Sequence, residues 1–250
     1  MKTKRLLIIV CCLVCPVLLY GQNSTGQVVQ STKDLFNYQG SVGNPVKLGN
    51  SFQTIYGTPL PPAEVIGDNY LDTTYTNGKM MLFKDTTLYG SIPSRLDLKN
   101  DLIEIKTNNG LRVIDGFRIK LLLLETPNGK VRTFFNVKNF NFGENPPTGF
   151  IEVLSQGKLI MGVHHRIWVR QPTYNASLGS GDPNIKIMKE KDFYVVQDGK
   201  AAKVGQSKKA LMVFFESKKA EMNAFFAQND LNFKNPTEVA KAFDYYNSLK

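Results

Sequence analysis

Cysteine is missing from all but the first 15 residues of this 250-residue chain. Cys11, Cys12 and Cys15 sit in one leading apolar run. Past that run there is no disulfide, no thiol nucleophile and no thiolate to ligate a metal. Histidine is nearly as scarce. His164 and His165 are the two in the chain, and Trp168 beside them is the one tryptophan. Ser-His-Asp catalysis would have to run through that pair, yet no serine stands in a Gly-x-Ser-x-Gly setting. The sequence GxxxxGK[ST] does not occur, and no GxGxxG leads from a strand into a helix, so no cofactor is expected. SLGSGDPN, residues 177–184, is glycine-rich but lacks that context and reads as a loop. No block of consecutive basic residues marks a nucleic-acid surface, and nucleic acid is not an expected partner.

What is present begins with the leader MKTKRLLIIVCCLVCPVLLYGQN. Lys2, Lys4 and Arg5 precede an apolar run from Leu6 to Leu19, and the small residue Gly21 precedes Gln22. This is the layout of a signal peptide over residues 1–21, with an exported product, periplasmic or secreted and associated with the outer envelope. The run is short of the roughly 20 residues that a membrane span needs. An uncleaved anchor and a lipid-modified cysteine are the rival readings, the second disfavoured because Cys15 follows Val14 and apolar sequence continues beyond it. No integral membrane span is expected after cleavage. Losing the leader takes Lys and Arg from 31 to 28 against 21 acidic residues, a net charge of +7. Charge this dispersed favours solubility, and it is also compatible with an anionic glycan or lipid partner at an envelope.

Residues 22–68 are rich in Gly, Asn, Ser, Gln and Pro and read as a loosely ordered entry segment, with one short helix begun by Ser31 in STKDLFNY. From about residue 69 to 205 the pattern is strand and turn. Asn77-Gly78, Asn109-Gly110, Asn128-Gly129 and Asp198-Gly199 are hairpin dipeptides, because a type I′ turn needs positive φ at both central residues. A two-residue turn at Asn128-Gly129 would set Glu125 opposite Arg132 and Leu123 opposite Phe134. At Asp198-Gly199 it would set Val196 opposite Ala201 and Phe193 opposite Val204. Residues 206–250 switch to helical period. Leu211, Phe214 and Phe215 share one face, and Met222, Phe225 and Phe226 repeat the spacing. Ser207 and Ser217 are placed as caps, and Asn235-Pro236-Thr237-Glu238 supplies an N-cap, a proline at the first helical position and a glutamate at the third. Val239, Ala242, Phe243 and Tyr246 then fall on one side. The expected fold is α+β: an antiparallel β meander, as a curved sheet or partly open barrel, with a C-terminal set of short helices packed on it. The sheet is either one unit or two halves meeting near residues 143–149.

LIMGVHHRIWVR, between Gly157 and Pro172, reads as a strand. Successive side chains then point to opposite faces, so His164 and His165 diverge and no metal site is expected. Val163, His165, Ile167 and Val169 share a mostly apolar face. His164, Arg166, Trp168 and Arg170 share the other, which is the candidate ligand-binding face for an anionic or sugar-like partner. The bland alternative is an ordinary exposed strand. Glu190 and Asp192 are two apart on another expected strand and form the only carboxylate pair worth weighing for acid–base work, with Asp182 and Glu144 in loops behind them. Thr73 and Thr86, in two Asp-Thr-Thr triplets, resemble short acceptors for O-glycosylation in exported proteins of Bacteroidetes-type bacteria.

GTPLPP, LYGSIPSRLDLKNDLIEIKT, GFIEVLSQGKLIMGVHHRIWV, FYVVQDGKAAKV and the tail SKKALMVFFESKKAEMNAFFAQNDLNFKNPTEVAKAFDYYNSL together resemble a family of uncharacterised exported proteins from Bacteroidetes-type bacteria. The likeness covers roughly residues 55–250. It implies an envelope location and an accessory role, and it carries no activity and no catalytic residue. The expectation for function is therefore an exported, non-enzymatic envelope protein that binds a protein, glycan or anionic ligand. The alternative is a carboxylate-dependent glycan hydrolase using Glu190 and Asp192.

Overall fold

The computed structural model describes residues 63–249. The leader, most of the 22–68 segment and the STKDLFNY helix lie outside the described residues. Eleven strands form one mainly antiparallel sheet that does not close into a barrel. They are β1 (Val65–Ile66), β2 (Thr76–Leu82), β3 (Leu88–Asp97), β4 (Leu102–Thr107), β5 (Gly110–Asp115), β6 (Ile119–Glu125), β7 (Val131–Asn136), β8 (Phe150–Ser155), β9 (Ile160–Arg170), β10 (Ile185–Gln197) and β11 (Lys200–Val204). Three helices follow: α1 (Lys208–Met212), α2 (Lys219–Gln228) and α3 (Pro236–Ser248). None of the described helices is long and apolar enough to cross a membrane.

The sheet is two meanders zipped together. β2 to β5 run as consecutive hairpins, the chain returns through a 3-10 turn at Gly116–Arg118, and β6 lies down beside β2 with Met80 opposite Leu122. β6 to β11 then continue as a second meander, and β1 adds to β10 as a short parallel strand. The loop containing residues 143–149 joins β7 to β8, which are themselves paired, with Phe134 opposite Glu152.

Asp198 and Gly199 both take positive φ, at 49° and 76°, and close a two-residue turn with Val196 opposite Ala201 and Phe193 opposite Val204, as the dipeptide predicts. Three other turn expectations need correction. At Asn128-Gly129 the register differs by one residue: Glu125 pairs with Val131, and Leu122 rather than Leu123 faces Phe134. The reason is Pro127, which has no N–H to close a two-residue loop. Thr126 N–H closes it instead on the Lys130 carbonyl at 2.7 Å, and Gly129 takes φ 80° as the bulge residue. In the β4–β5 hairpin Thr107 pairs with Gly110, so Asn108 and Asn109 form the loop. Asn77-Gly78 is no turn at all but lies inside β2, where a Cβ on Gly78 would come 2.6 Å from Ser94 Oγ.

Paired residues in a sheet share a face. Leu122, Phe134, Glu152, Val163 and Phe193 therefore line one side, and both large cores build on it. One core holds Met80, Leu96, Ile103, Ile119, Leu122, Phe134 and Phe150, contributed by β2 to β8. The other joins Leu159, Met161, Val163 and Phe193 to the helices through Leu211, Phe215, Met222, Val239 and Phe243. Phe215 is its centre, with rings of Phe243, Tyr246 and Phe226 at 4.9, 5.1 and 6.3 Å. Ser207 caps α1 by accepting from Ala210 N–H, and Asn235 caps α3 by accepting from Thr237 N–H, with Pro236 at the first helical position. Ser217 caps nothing; its hydroxyl instead meets the Tyr246 hydroxyl at 2.8 Å.

Candidate functional site

The β9 strand keeps the alternation read from its sequence. His165 lies on the cored side, where its Nε2–H donates to Glu152 at 2.6 Å. Arg132 grips the same carboxylate from β7 with Nε and Nη2, at 2.7 and 2.9 Å, and reaches Asp72 with Nη1. Burial pushes the Glu152 pKa up, but the hydrogen bonds and charges of Arg132 and His165 outweigh it and hold the pKa at about 2. This ion cluster sits between the two cores, and both Glu152 oxygens are matched to donors. Its geometry is that of a structural clamp, and a carboxylate so firmly ionised is no general acid.

His164, Arg166, Trp168 and Arg170 share the opposite side, but each guanidinium already has carboxylate partners. Arg166 bridges Glu190 and Asp192 across the β9–β10 ladder, and Arg170 pairs with Asp182. Asp192 also meets Lys203 at 2.9 Å, and Asp182 meets Lys186. Burial raises the Asp192 pKa, yet Lys203 and Arg166 bring it below the usual carboxylate value. Trp168 is 40% exposed. Thr73 and Thr86 are both exposed in connecting segments, with the Thr73 carbonyl accepting from Arg95. Among the described residues no three His, Asp or Glu side chains form a group able to hold a metal ion.

His164 leads elsewhere. Its Nε2–H donates to the Thr148 carbonyl at 2.8 Å, and its ring packs edge-on to Tyr194 at 6.3 Å. From Tyr194 a row of edge-to-face contacts runs through Phe142 and Phe140 to Phe135, at 5.3, 6.3 and 6.2 Å. Two members of that row, Phe140 and Phe142, line a concave pocket of about 740 Å3. Three connections enclose it: the β3–β4 turn with Asn100 and Asp101, the 3-10 turn with Gly116 and Phe117, and the long β7–β8 connection with Phe140, Phe142, Pro146, Pro147 and Thr148. The volume falls in the range of small-molecule sites, which are mostly apolar with a few convergent polar groups.

No protein family, curated protein or solved structure matches this chain. The pocket is therefore read from its own chemistry.

Asp101 is its most unusual residue. It holds φ 52°, a left-handed conformation that Asp tolerates better than most side chains. Its carbonyl accepts from Gly116 N–H at 2.8 Å. Glycine is required on both flanks: a Cβ on Gly116 would sit 2.3 Å from the Asp101 carbonyl oxygen, and one on Gly149 would sit 2.3 Å from its Oδ1. Burial raises the Asp101 pKa above the ordinary carboxylate value, opposed by the Thr148 hydroxyl and by His164, and reinforced by Asp97. Burial also lowers the pKa of His164 below its ordinary 6.5, so the imidazole is mainly neutral at pH 7 and its charge offsets that of Asp101 only weakly. Lys138 lines the pocket too, but its ammonium sits over the rings of Phe117 and Phe83, at 5.3 and 6.0 Å. Sequence reasoning found His164 and missed the pocket beside it. The available signals were the aromatic cluster in FFNVKNFNF and the prolines that close it.

Proposed function

We propose that this chain is an exported, non-enzymatic binding protein of the cell envelope, and that it takes a small, largely apolar ligand in the pocket walled by Phe117, Phe140 and Phe142. The observation that carries this reading is the pocket: about 740 Å3 of concave surface with aromatic and proline walls and few polar groups. The leader and the sequence resemblance support the exported location. The alternative of a carboxylate-dependent glycan hydrolase draws little from Glu190 and Asp192. Such chemistry needs one carboxyl group held protonated, whereas Asp192 is pulled toward ionisation. Neither residue lines the pocket. The paired guanidinium groups of β9 likewise leave little free positive charge for an anionic partner on that face.

The test is saturable binding of a neutral apolar probe, N-phenyl-1-naphthylamine, followed by fluorescence. Phe117 is 57% exposed, so Phe117→Ser alters the wall without opening a core. The expected outcome is one saturable site that weakens about tenfold in Phe117→Ser, as lost aromatic contact predicts. Absence of saturable binding to the native chain would sink the reading.

A further inference from the structure

Four of the half-buried or buried carboxylates among the described residues are matched with cations, and Asp97, which has none, is held instead by the backbone N–H groups of Lys99 and Asn100 and by the Asn100 amide. Glu104 has Arg95, Glu152 has Arg132 and His165, Asp182 has Arg170 and Lys186, and Asp192 has Arg166 and Lys203. Asp101 has neither kind of support and lines the pocket. Among the described residues it has no ion-pair partner, although the chain as a whole carries a net charge of +10. Its neighbours are the Thr148 hydroxyl, the mainly neutral His164 ring and the like-charged Asp97. Three other wall residues, Phe117, Phe140 and Phe142, supply aromatic faces, which attract cations through their quadrupoles. The one cation on the wall, Lys138, is held over Phe117 and Phe83 instead of over the acid.

We propose that the pocket's ligand carries an ammonium group, held by the Asp101 carboxylate, with its apolar body against Phe117, Phe140 and Phe142. This rests on the pocket being a binding site, as argued above. A positively charged head supplies what the protein withholds: a counter-charge for a carboxylate taken out of water. A charge-assisted hydrogen bond in such a place is stronger than one between neutral groups. An anionic head would meet an unpaired acid, and a neutral head would leave that acid uncompensated. The raised proton affinity of Asp101 is the same fact seen from the proton's side: burial penalises the lone negative charge, and an ammonium relieves that penalty.

The experiment displaces N-phenyl-1-naphthylamine from the full mature chain at pH 8 with three probes of one chain length, decylammonium, decanol and decanoate, each below its micellar concentration. Decylammonium is expected to displace the dye at least about tenfold more tightly than decanol, with decanoate weakest. In Asp101→Asn the preference for the ammonium is expected to vanish while decanol is unaffected, since Asn tolerates the same positive φ and keeps hydrogen bonding to Thr148. Asp115→Asn, an acid on the same wall, is expected to leave the preference intact. The inference is overturned if the three probes displace equally, if the preference survives Asp101→Asn, or if it is Asp115→Asn that removes it. Equal displacement by all three overturns the ammonium assignment alone and leaves the pocket standing as an apolar site. Failure of the dye to bind at all overturns both.

Discussion

Acid should weaken the fold through the clamp between the two cores. Glu152 is 9% exposed at its side chain and receives Arg132 through two parallel hydrogen bonds and His165 through a third. Its folded-state pKa of about 2 lies below the ordinary 4.5. A carboxylate with a depressed pKa contributes stability that is fully present above its unfolded value and is lost as the pH falls toward the folded one. The gap between 4.5 and about 2 corresponds to about 3 kcal/mol. Integrating proton uptake by the unfolded chain, about 2 kcal/mol of that is gone by pH 3. The variant Glu152→Gln removes the titrating group and keeps the shape. At pH 7 it should be less stable by roughly 3–5 kcal/mol, because Arg132 keeps only the more exposed Asp72 as an ionic partner. Urea unfolding at pH 7 and pH 3 reads both effects. Carboxylates outside this cluster titrate alike in the two proteins, so their contributions cancel in the difference. The wild-type chain should lose about 2 kcal/mol more than Glu152→Gln between the two pH values, with unchanged slopes against urea. Equal losses in the two proteins would refute the assignment of acid sensitivity to this clamp.

Three further outcomes follow from the same geometry. Phe215→Ala should cost roughly 3–5 kcal/mol in equilibrium unfolding, because Phe215 is fully buried among Phe226, Phe243 and Tyr246 where the helices meet the sheet. Gly162→Ala should cost roughly 1–3 kcal/mol, since its Cβ would lie 2.3 Å from Ile151 Cγ2; pairing it with Ile151→Ala, which removes that methyl, should recover part of the loss in a double-mutant cycle. Asp101→Asn should make the protein more stable at pH 7 and not at pH 3. A buried carboxylate with a raised folded pKa weakens the fold once the pH exceeds its unfolded value, so removing the charge helps only there; a thermal melt of the variant that shows no gain at pH 7 contradicts the unpaired reading of Asp101.

Local chemistry made the sheet legible and non-local pairing did not. Asp198-Gly199 announced its turn because both residues supply positive φ and nothing nearby objects. Asn128-Gly129 had the same signal with Pro127 in front, and the missing N–H moved the register by one; that correction was readable in advance. Asn77-Gly78 looked identical and lies inside a strand, because β2 is held on both sides, by β3 and by β6 across about 40 residues of chain. Helical spacing in the tail placed Leu211, Phe215, Met222, Val239, Phe243 and Tyr246 correctly inward. The strand alternation of β9 separated His164 from His165, yet it could not reveal that cross-strand carboxylates would occupy Arg166 and Arg170. Glu152, a lone acid in the apolar run FIEVL, was a visible anomaly whose partners Arg132 and His165 become neighbours only through the β7–β8–β9 ladder. The pocket was hidden for the same reason. Asp101, Phe117 and Phe142 come from three connections brought to one end of the sheet by the β2–β6 pairing.

Glu152 and Asp101 make the strongest comparison the molecule offers. Both are acids withdrawn from water, and burial raises the pKa of each. Around Glu152 the fold supplies two cations and turns the burial to its own support. Around Asp101 it supplies a hydroxyl, a mainly neutral imidazole and a second acid, within a chain where basic residues outnumber acidic ones by 31 to 21. Asparagine would satisfy the same turn, accept the same Thr148 hydrogen bond and carry no charge to desolvate. An ionisable group at that position weakens the fold at neutral pH, and it does so at the wall of an aromatic-lined pocket of about 740 Å3. On the ammonium proposal, the charge acts outside the fold itself, on the ligand that enters the pocket.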